Sequence, residues 1–208
     1  MTHFYIVDVV FGTFHPPHMD DFYCDKETFC VVRNPMDRIM SQFRYIVADI
    51  KYRPHAYPKN QLKFECTSEH LNLYVKTALT NHDNKIINLI HDLKSNCHLL
   101  LQSRYISSSR FGGIGGKCGC KHIIRMENLK NDFARLTREF LGASLPMVLD
   151  HGRAHAPVEA ASKNCFLGES NLTQSAKALI YEGYYPDFIA LGYPVPPQFM
   201  PNSTTPQH

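Results

Sequence analysis

Residues 29–38, FCVVRNPMDR, pass from an apolar run to charged residues within a few positions. The first four residues suit a short buried strand, and Asn34 is a favourable N-cap for a helix that begins at Pro35. After Pro35, apolar residues recur every three or four positions, which predicts a helix with one buried face. The stretch therefore predicts a strand, a very short turn and a helix, with Arg33 at the junction.

Strand-like and helical patterns alternate along the rest of the chain. Strand-like or extended segments are predicted at 4–11, 29–32, 97–106 and 122–126, and helices at 35–50, 68–79 with Ser68 as N-cap, 84–93, 128–141 and 173–184. This alternation predicts an α/β domain with a parallel sheet flanked by helices. One domain is expected over residues 1–193, and the proline-rich residues 194–208 are predicted to be a disordered tail.

Composition limits the classes of protein that fit. The chain has 208 residues and a net charge of +3, and it lacks the basic stripe expected of a dedicated nucleic-acid binder. It has no run of 18 apolar residues, so no membrane span is predicted. Seven cysteines are an odd number, so at least one is unpaired in a monomer, and their spacing leaves the redox compartment open.

The junction at Arg33 is a candidate anion site. In open parallel sheets, ligands bind beyond the carboxyl ends of the strands, and helix N-termini favour anions. The Arg33 guanidinium can hold a phosphate with two hydrogen bonds, and Ser41 adds a hydroxyl donor. The residues allow an alternative equally well, in which Arg33 pairs with Asp37 or another carboxylate and ties the helix to the sheet.

Five segments appear together in one order. They are FHPPH at 14–18, FCVVRNPMDRIMSQFRY at 29–45, NCHLLLQSRYI at 96–106, HIIRMENL at 122–129 and YYPDFIALGY at 184–193. In this combination the chain resembles the Golgi-type carbohydrate sulfotransferases, which use PAPS (3′-phosphoadenosine 5′-phosphosulfate). The resemblance covers about residues 12–193 and implies a P-loop-NTPase-like sulfotransferase fold.

The resemblance implies a role for several residues. Arg33, Ser41 and Arg38 are expected to bind the 3′-phosphate of PAPS. His15 is expected to act as the base that takes the proton of the acceptor hydroxyl, with His18 as the second choice. No metal is implied.

The acceptor is expected to be a carbohydrate or polysaccharide, met by residues from the third segment. His98, Gln102 and Arg104 are the candidate substrate-binding residues, although a packed His98 and a surface ion pair of Arg104 are the alternatives. Glu127 is expected to brace a neighbouring loop or arginine. Asp187 and Tyr193 are expected to be structural.

One element of the family pattern is not found before His15. Relatives carry a Lys-x-Gly-x-Ser/Thr loop that cradles the 5′-phosphosulfate, and they reside in the Golgi, where an N-terminal anchor holds them to the membrane. The expectation is therefore a Golgi lumenal or membrane protein whose sequence here is truncated at the N-terminus. A relative that binds nucleotide or carbohydrate without catalysis is the alternative function.

A zinc module built on Cys118, Cys120 and His122 is a further alternative. The single residue between the two cysteines is a tighter spacing than structural zinc sites use.

The missing loop generates a prediction for the purified 208-residue chain. Losing one donor to a developing charge lowers a rate by roughly 10²–10³-fold, and a whole loop contributes several donors. Sulfate transfer from PAPS to sugar acceptors is therefore expected to be very slow or undetectable. A radiolabelled transfer assay checks this, and rapid turnover would contradict it.

Overall fold

The computed structural model describes residues 5–6, 28–52, 54, 64–80, 99–106, 120–143 and 164–200. The chain divides into two compact units, each made from two separate stretches. Unit 1 comprises Met1–Asn34 and Leu100–Leu149, and unit 2 comprises Pro35–Leu99 and Asp150–His208. Both helices and a parallel sheet are present, so the chain is of the α/β class.

The described regular elements follow one another along the chain. In order they are β1 (Tyr5–Ile6), β2 (Thr28–Val32), α1 (Pro35–Tyr52), α2 (Ser68–Leu79), α3 (Gln102–Ile106), β3 (His122–Arg125), α4 (Leu129–Leu141), α5 (Gln174–Gly183) and α6 (Tyr185–Ala190), with 3₁₀ turns at Met126–Asn128, Glu169–Asn171 and Pro197–Phe199. No helix in these described stretches has both the length and the apolar character needed to cross a membrane.

Unit 1 is built around the predicted parallel sheet. Its order is β1-β2-β3, and β2 pairs in parallel with both neighbours. The β2–β3 register places Phe29 opposite His122 and Val32 opposite Arg125. Consequently the two strands end at the same edge of the sheet.

Helix α4 packs on this sheet through its apolar face. Phe29, Ile124 and Leu136 form the buried centre, and the rings of Phe29 and Phe133 meet edge to face at a centroid distance of 6.3 Å. Gly142 ends the helix in the left-handed conformation at φ 69°, which glycine adopts without steric cost. The predicted cap at Gly142 is therefore confirmed.

A disulfide reinforces the strand pair in unit 1. Cys30 lies within β2 and Cys120 lies two residues before β3, and the two are bonded with their Cα atoms 5.7 Å apart. The Lys121 N–H also donates to the Thr28 carbonyl. The pair therefore has a covalent link that closes a separation of 90 residues.

Unit 2 is helical, and its buried faces follow the predicted periodicity. Phe43 of α1 is fully buried and contacts the ring of Tyr74 from α2 at 5.6 Å. Thr173 caps α5 by accepting a hydrogen bond from Ala176 N–H, as predicted. In α2, however, the cap is Thr67, which accepts from His70 N–H, so the assignment of that role to Ser68 is wrong by one residue.

An asparagine network and a second disulfide join α2 to the segment before α5. The Asn72 amide donates to the Asn171 carbonyl, and its oxygen accepts from Thr173 N–H. Nearby, Cys66 and Cys165 form a disulfide with a Cα separation of 5.6 Å. These contacts hold a connection across about a hundred residues of chain.

Two predicted assignments differ from the structure. Residues 102–106 form helix α3, although the segment 97–106 was predicted to be extended because of its leucine run. Residues 194–200 belong to the predicted disordered tail, yet Phe199 stacks on Tyr181 at 4.6 Å. The ring contact buries apolar surface between Phe199 and Tyr181, which the proline-rich composition of the segment does not indicate. The predicted strand at 7–11 and helix at 84–93 lie outside the described residues.

Tyr74 carries a polar atom that the fold leaves unpaired. Its side chain is 4% exposed, and its hydroxyl has no hydrogen-bond partner among the described residues. Burial raises the pKa of Tyr74, the nearby Tyr184 adds to the effect, and the Arg38 guanidinium opposes it. The hydroxyl is therefore expected to cost stability.

Replacing Tyr74 by phenylalanine tests this cost. The variant should be as stable as the wild type or more stable by up to about 1 kcal/mol, because an unpaired buried hydroxyl is removed. The folded wild type keeps the phenol proton above pH ~10 whereas the unfolded chain releases it, so its stability falls there with rising pH. The phenylalanine variant lacks this part of the fall.

Urea unfolding at pH 7 and above pH 10 measures both effects. Tyr185→Phe is the matched control, because Tyr185 is only partly buried. A loss of more than about 1 kcal/mol on Tyr74→Phe at pH 7 would contradict the prediction.

Candidate functional site

The candidate site lies where β2 and β3 end side by side. Because Val32 pairs with Arg125, the residues that follow each strand start from neighbouring positions. Arg33 and Asn34 follow β2, and Glu127 lies in the 3₁₀ turn that follows β3. Parallel pairing thus brings the predicted arginine and the predicted bracing glutamate to one edge of unit 1.

The main chain of Arg33 is held by the side chain of Gln102. Arg33 N–H donates to Gln102 Oε1 at 2.9 Å, and Gln102 Nε2 donates to the Arg33 carbonyl at 2.7 Å. Gln102 is the first residue of α3 and is 8% exposed. One primary amide therefore satisfies both main-chain groups of the residue that follows β2.

Glu127 holds the next residue. Its Oε1 accepts a hydrogen bond from Asn34 N–H at 2.5 Å, which confirms the predicted bracing role. Asn34 directly precedes α1, so the protein itself supplies a carboxylate at the residue that precedes the helix. A carboxylate in this position is favoured by the partial positive charge of a helix N-terminus.

These bonds limit how an anion can be recognised at the junction. The N–H groups of Arg33 and Asn34 both donate to side chains, and Pro35 has no N–H. An anion at this edge therefore cannot be bound by these two main-chain groups. Within the described part of unit 1, no carboxylate forms an ion pair with the Arg33 guanidinium. In that unit, then, the alternative of an arginine tied to a carboxylate is not found.

Two other predicted phosphate ligands belong to unit 2. Arg38 and Ser41 are three residues apart on α1, which makes them neighbours on the helix surface. Arg38 lies close enough to Tyr74 to lower the pKa of its phenol against the larger effect of burial. Ser41 is partly exposed. The predicted 3′-phosphate ligands are thus divided between the two units.

The remaining predicted residues are described only in part. His15, His18 and His98 lie outside the described residues, so their roles stay predictions. The main chain of Arg104 belongs to α3, but its side chain lies outside the part of the chain that the structure describes.

Asp187 and Tyr193, which are predicted to be structural, both take part in hydrogen bonds within unit 2. Asp187 is fully buried, and its N–H donates to the Tyr184 carbonyl. Tyr193 N–H donates to the Phe188 carbonyl at 2.8 Å. The first bond lies in the first turn of α6, and the second closes the turn that follows the helix.

The zinc alternative loses one of its proposed ligands. Cys120 is bonded to Cys30, so its thiolate is not available to a metal. The His122 ring packs edge to face on Phe140 at 4.7 Å. In the portions of chain that the structure describes, no group of three or more His, Cys, Asp or Glu side chains has a metal-binding arrangement.

Sequence reasoning missed the main-chain role of Gln102 and the unpaired hydroxyl of Tyr74. Gln102 was assigned to substrate by resemblance, and no local pattern shows that it meets Arg33, 69 residues away. Tyr74 was interpreted as one of the apolar positions of α2. Gln102 begins α3 and follows none of the described strands, so the rule that residues after neighbouring parallel strands share one edge gives no signal for it.

Comparison with protein-family models, with curated proteins and with solved structures finds no match for this chain. The interpretation of the site therefore depends on its own residues and geometry.

Removing the Glu127 carboxylate tests the brace. Glu127→Ala leaves Asn34 N–H without its partner at the start of α1 and should destabilise the protein by about 1 kcal/mol, since the pair is charge-assisted but solvent-accessible. Glu127→Gln keeps an acceptor and should lose less. Urea unfolding measures both, with the exposed Glu139→Ala as the control. Equal stability of Glu127→Ala and Glu139→Ala would show that the brace contributes nothing.

Proposed function

We propose that this chain is a PAPS-dependent sulfotransferase that acts on a hydroxyl of a carbohydrate acceptor. The observation that supports this best is Arg33 at the carboxyl end of a central parallel strand, with its main chain fixed and its guanidinium without a carboxylate partner within the described part of unit 1. This is the position at which parallel sheets bind ligands, and the guanidinium is the group suited to a phosphate.

The proposed reaction is an in-line displacement at sulfur. The acceptor hydroxyl oxygen forms a bond to the sulfur of PAPS while the bond from sulfur to the 5′-phosphate oxygen breaks. PAP, the desulfated 3′,5′-bisphosphate, leaves with the negative charge, and the hydroxyl proton passes to His15 in this proposal. The protein's contribution is to position both partners and to offset the charge on the phosphates.

Recognition of the 3′-phosphate is proposed to depend on side chains. The main-chain donors of Arg33 and Asn34 are already used inside unit 1, so they are not available to the ligand. Arg33 therefore contributes through its guanidinium, and Arg38 and Ser41 remain the other two ligands that the resemblance implies. No metal ion enters this proposal, because the guanidinium groups offset the phosphate charge.

The disulfides support a proposal about location. Two cysteine pairs, Cys30–Cys120 and Cys66–Cys165, are bonded in the described residues. Disulfides persist in oxidising compartments and are rare in the cytosol. Residence in the lumen of the secretory pathway, such as the Golgi, is proposed on this ground together with the resemblance.

Binding of PAP tests the proposed donor site directly. Calorimetry should detect PAP binding by the wild-type chain, and Arg33→Ala should weaken it by about tenfold to a hundredfold, because charged hydrogen bonds to one phosphate are lost. Arg33→Lys should recover only part of the affinity, since an ammonium cannot form the paired contact. Arg135→Ala, an exposed arginine of α4, is the matched control and should bind like the wild type.

The outcomes separate the possible functions. PAP binding that depends on Arg33 supports the donor site under either function, because sulfate transfer by this chain is itself expected to be very slow or undetectable. Measurable transfer to a sugar acceptor would distinguish the sulfotransferase from the alternative of a non-catalytic binder. Absence of PAP binding by the wild type, or equal binding by Arg33→Ala, would overturn the proposed donor site.

A further inference from the structure

We infer that Gln102 is a positioning residue: it fixes the main chain of Arg33 so that the guanidinium extends toward the ligand from a set point. This inference rests on the proposed function, because it assigns a purpose to the fixed arginine. It differs from the role that resemblance suggests for Gln102, which is direct contact with the acceptor.

The geometry of the contact supports positioning. Gln102 Oε1 accepts from Arg33 N–H, and Gln102 Nε2 donates to the carbonyl of the same residue. A primary amide is the side-chain group that presents a donor and an acceptor in one plane, as a neighbouring strand does. Gln102 therefore continues the hydrogen bonding of β2 by one residue beyond its last pair with β3, Val32 with Arg125.

Because Gln102 is buried, losing its hydrogen bonds to Arg33 is unfavourable. Gln102 is 8% exposed, so water cannot readily replace it at the Arg33 main chain. A buried N–H or carbonyl left without a partner is strongly disfavoured, and the backbone would move to find one. Because the contact joins residues 69 apart in sequence, it fixes Arg33 with respect to α3 and not merely to its own neighbours.

Glu127 extends the same arrangement by one residue. It holds Asn34 N–H, so side chains from two different parts of unit 1 bind two consecutive main-chain N–H groups. The backbone at the junction is thereby fixed, while the Arg33 side chain has no carboxylate partner in the described residues of this unit. Holding the backbone before the ligand arrives lowers the ordering cost of binding.

The test compares Gln102→Met with Gln174→Met in the full chain. Methionine keeps the length of the side chain and removes both side-chain hydrogen bonds to the Arg33 main chain. Gln174 is an exposed residue at the start of α5 and serves as the matched control. The two readouts are amide hydrogen exchange of residues 29–36, by mass spectrometry, and the affinity for PAP, by calorimetry.

Gln102→Met is expected to accelerate exchange at the Arg33 amide by about tenfold or more and to weaken PAP binding by about tenfold. The control should change neither. If Gln102→Met does not fold, Gln102→Asn replaces it with the same readouts, because asparagine keeps a polar amide at this position but is one methylene too short to hold both main-chain groups of Arg33.

Three results would overturn the inference. Unchanged exchange at Arg33 would show that Gln102 does not fix the main chain. Weaker PAP binding without faster exchange would show direct ligand contact instead. Faster exchange with unchanged PAP binding would show that the fixed backbone has no bearing on the site. If the wild type fails to bind PAP, the proposed function fails, and the exchange result still decides whether Gln102 holds Arg33.

Discussion

The parallel pairing of β2 with β3 is the constraint on which the candidate site depends. Its register aligns Val32 with Arg125, so both strands end at one edge, where Arg33, Asn34 and Glu127 follow them. In an antiparallel pair, the end of one strand would face the beginning of the other, and Asn34 and Glu127 would lie at opposite edges. The relative direction of β2 and β3 therefore determines which loops lie together at the candidate site.

At that edge, side chains of unit 1 bind the main chain of the two residues that precede α1. Gln102 and Glu127 bind the main chain of Arg33 and Asn34, so those donors are satisfied before any ligand arrives. An anion at this edge cannot use these two N–H groups, so the donor that Arg33 can offer is its guanidinium. A side-chain site is more sensitive to the exact residue, because lysine cannot reproduce the paired contact of arginine with a phosphate.

Local chemistry in the sequence predicted much of this arrangement, and long-range contacts account for the rest. The helix start at Pro35, the cap at Thr173 and the left-handed Gly142 follow from signals within a few residues, and all three are confirmed. The helix at 102–106 was missed because its leucine-rich approach is ambiguous between strand and helix. The partner of Gln102 and the pairing of the cysteines depend on how distant segments meet, which no local pattern specifies.

The two ends of the β2–β3 pair are held by different means, and the difference suits their tasks. Toward the amino end of β3, Cys120 is bonded to Cys30, and this link does not depend on the polarity of its surroundings. Toward the carboxyl end, the holding groups are Gln102 and Glu127, which bind the backbone. A fixed backbone and a guanidinium without a carboxylate partner in the described part of unit 1 are what a candidate anion site at this edge requires, and both lie at the end of the same pair of strands.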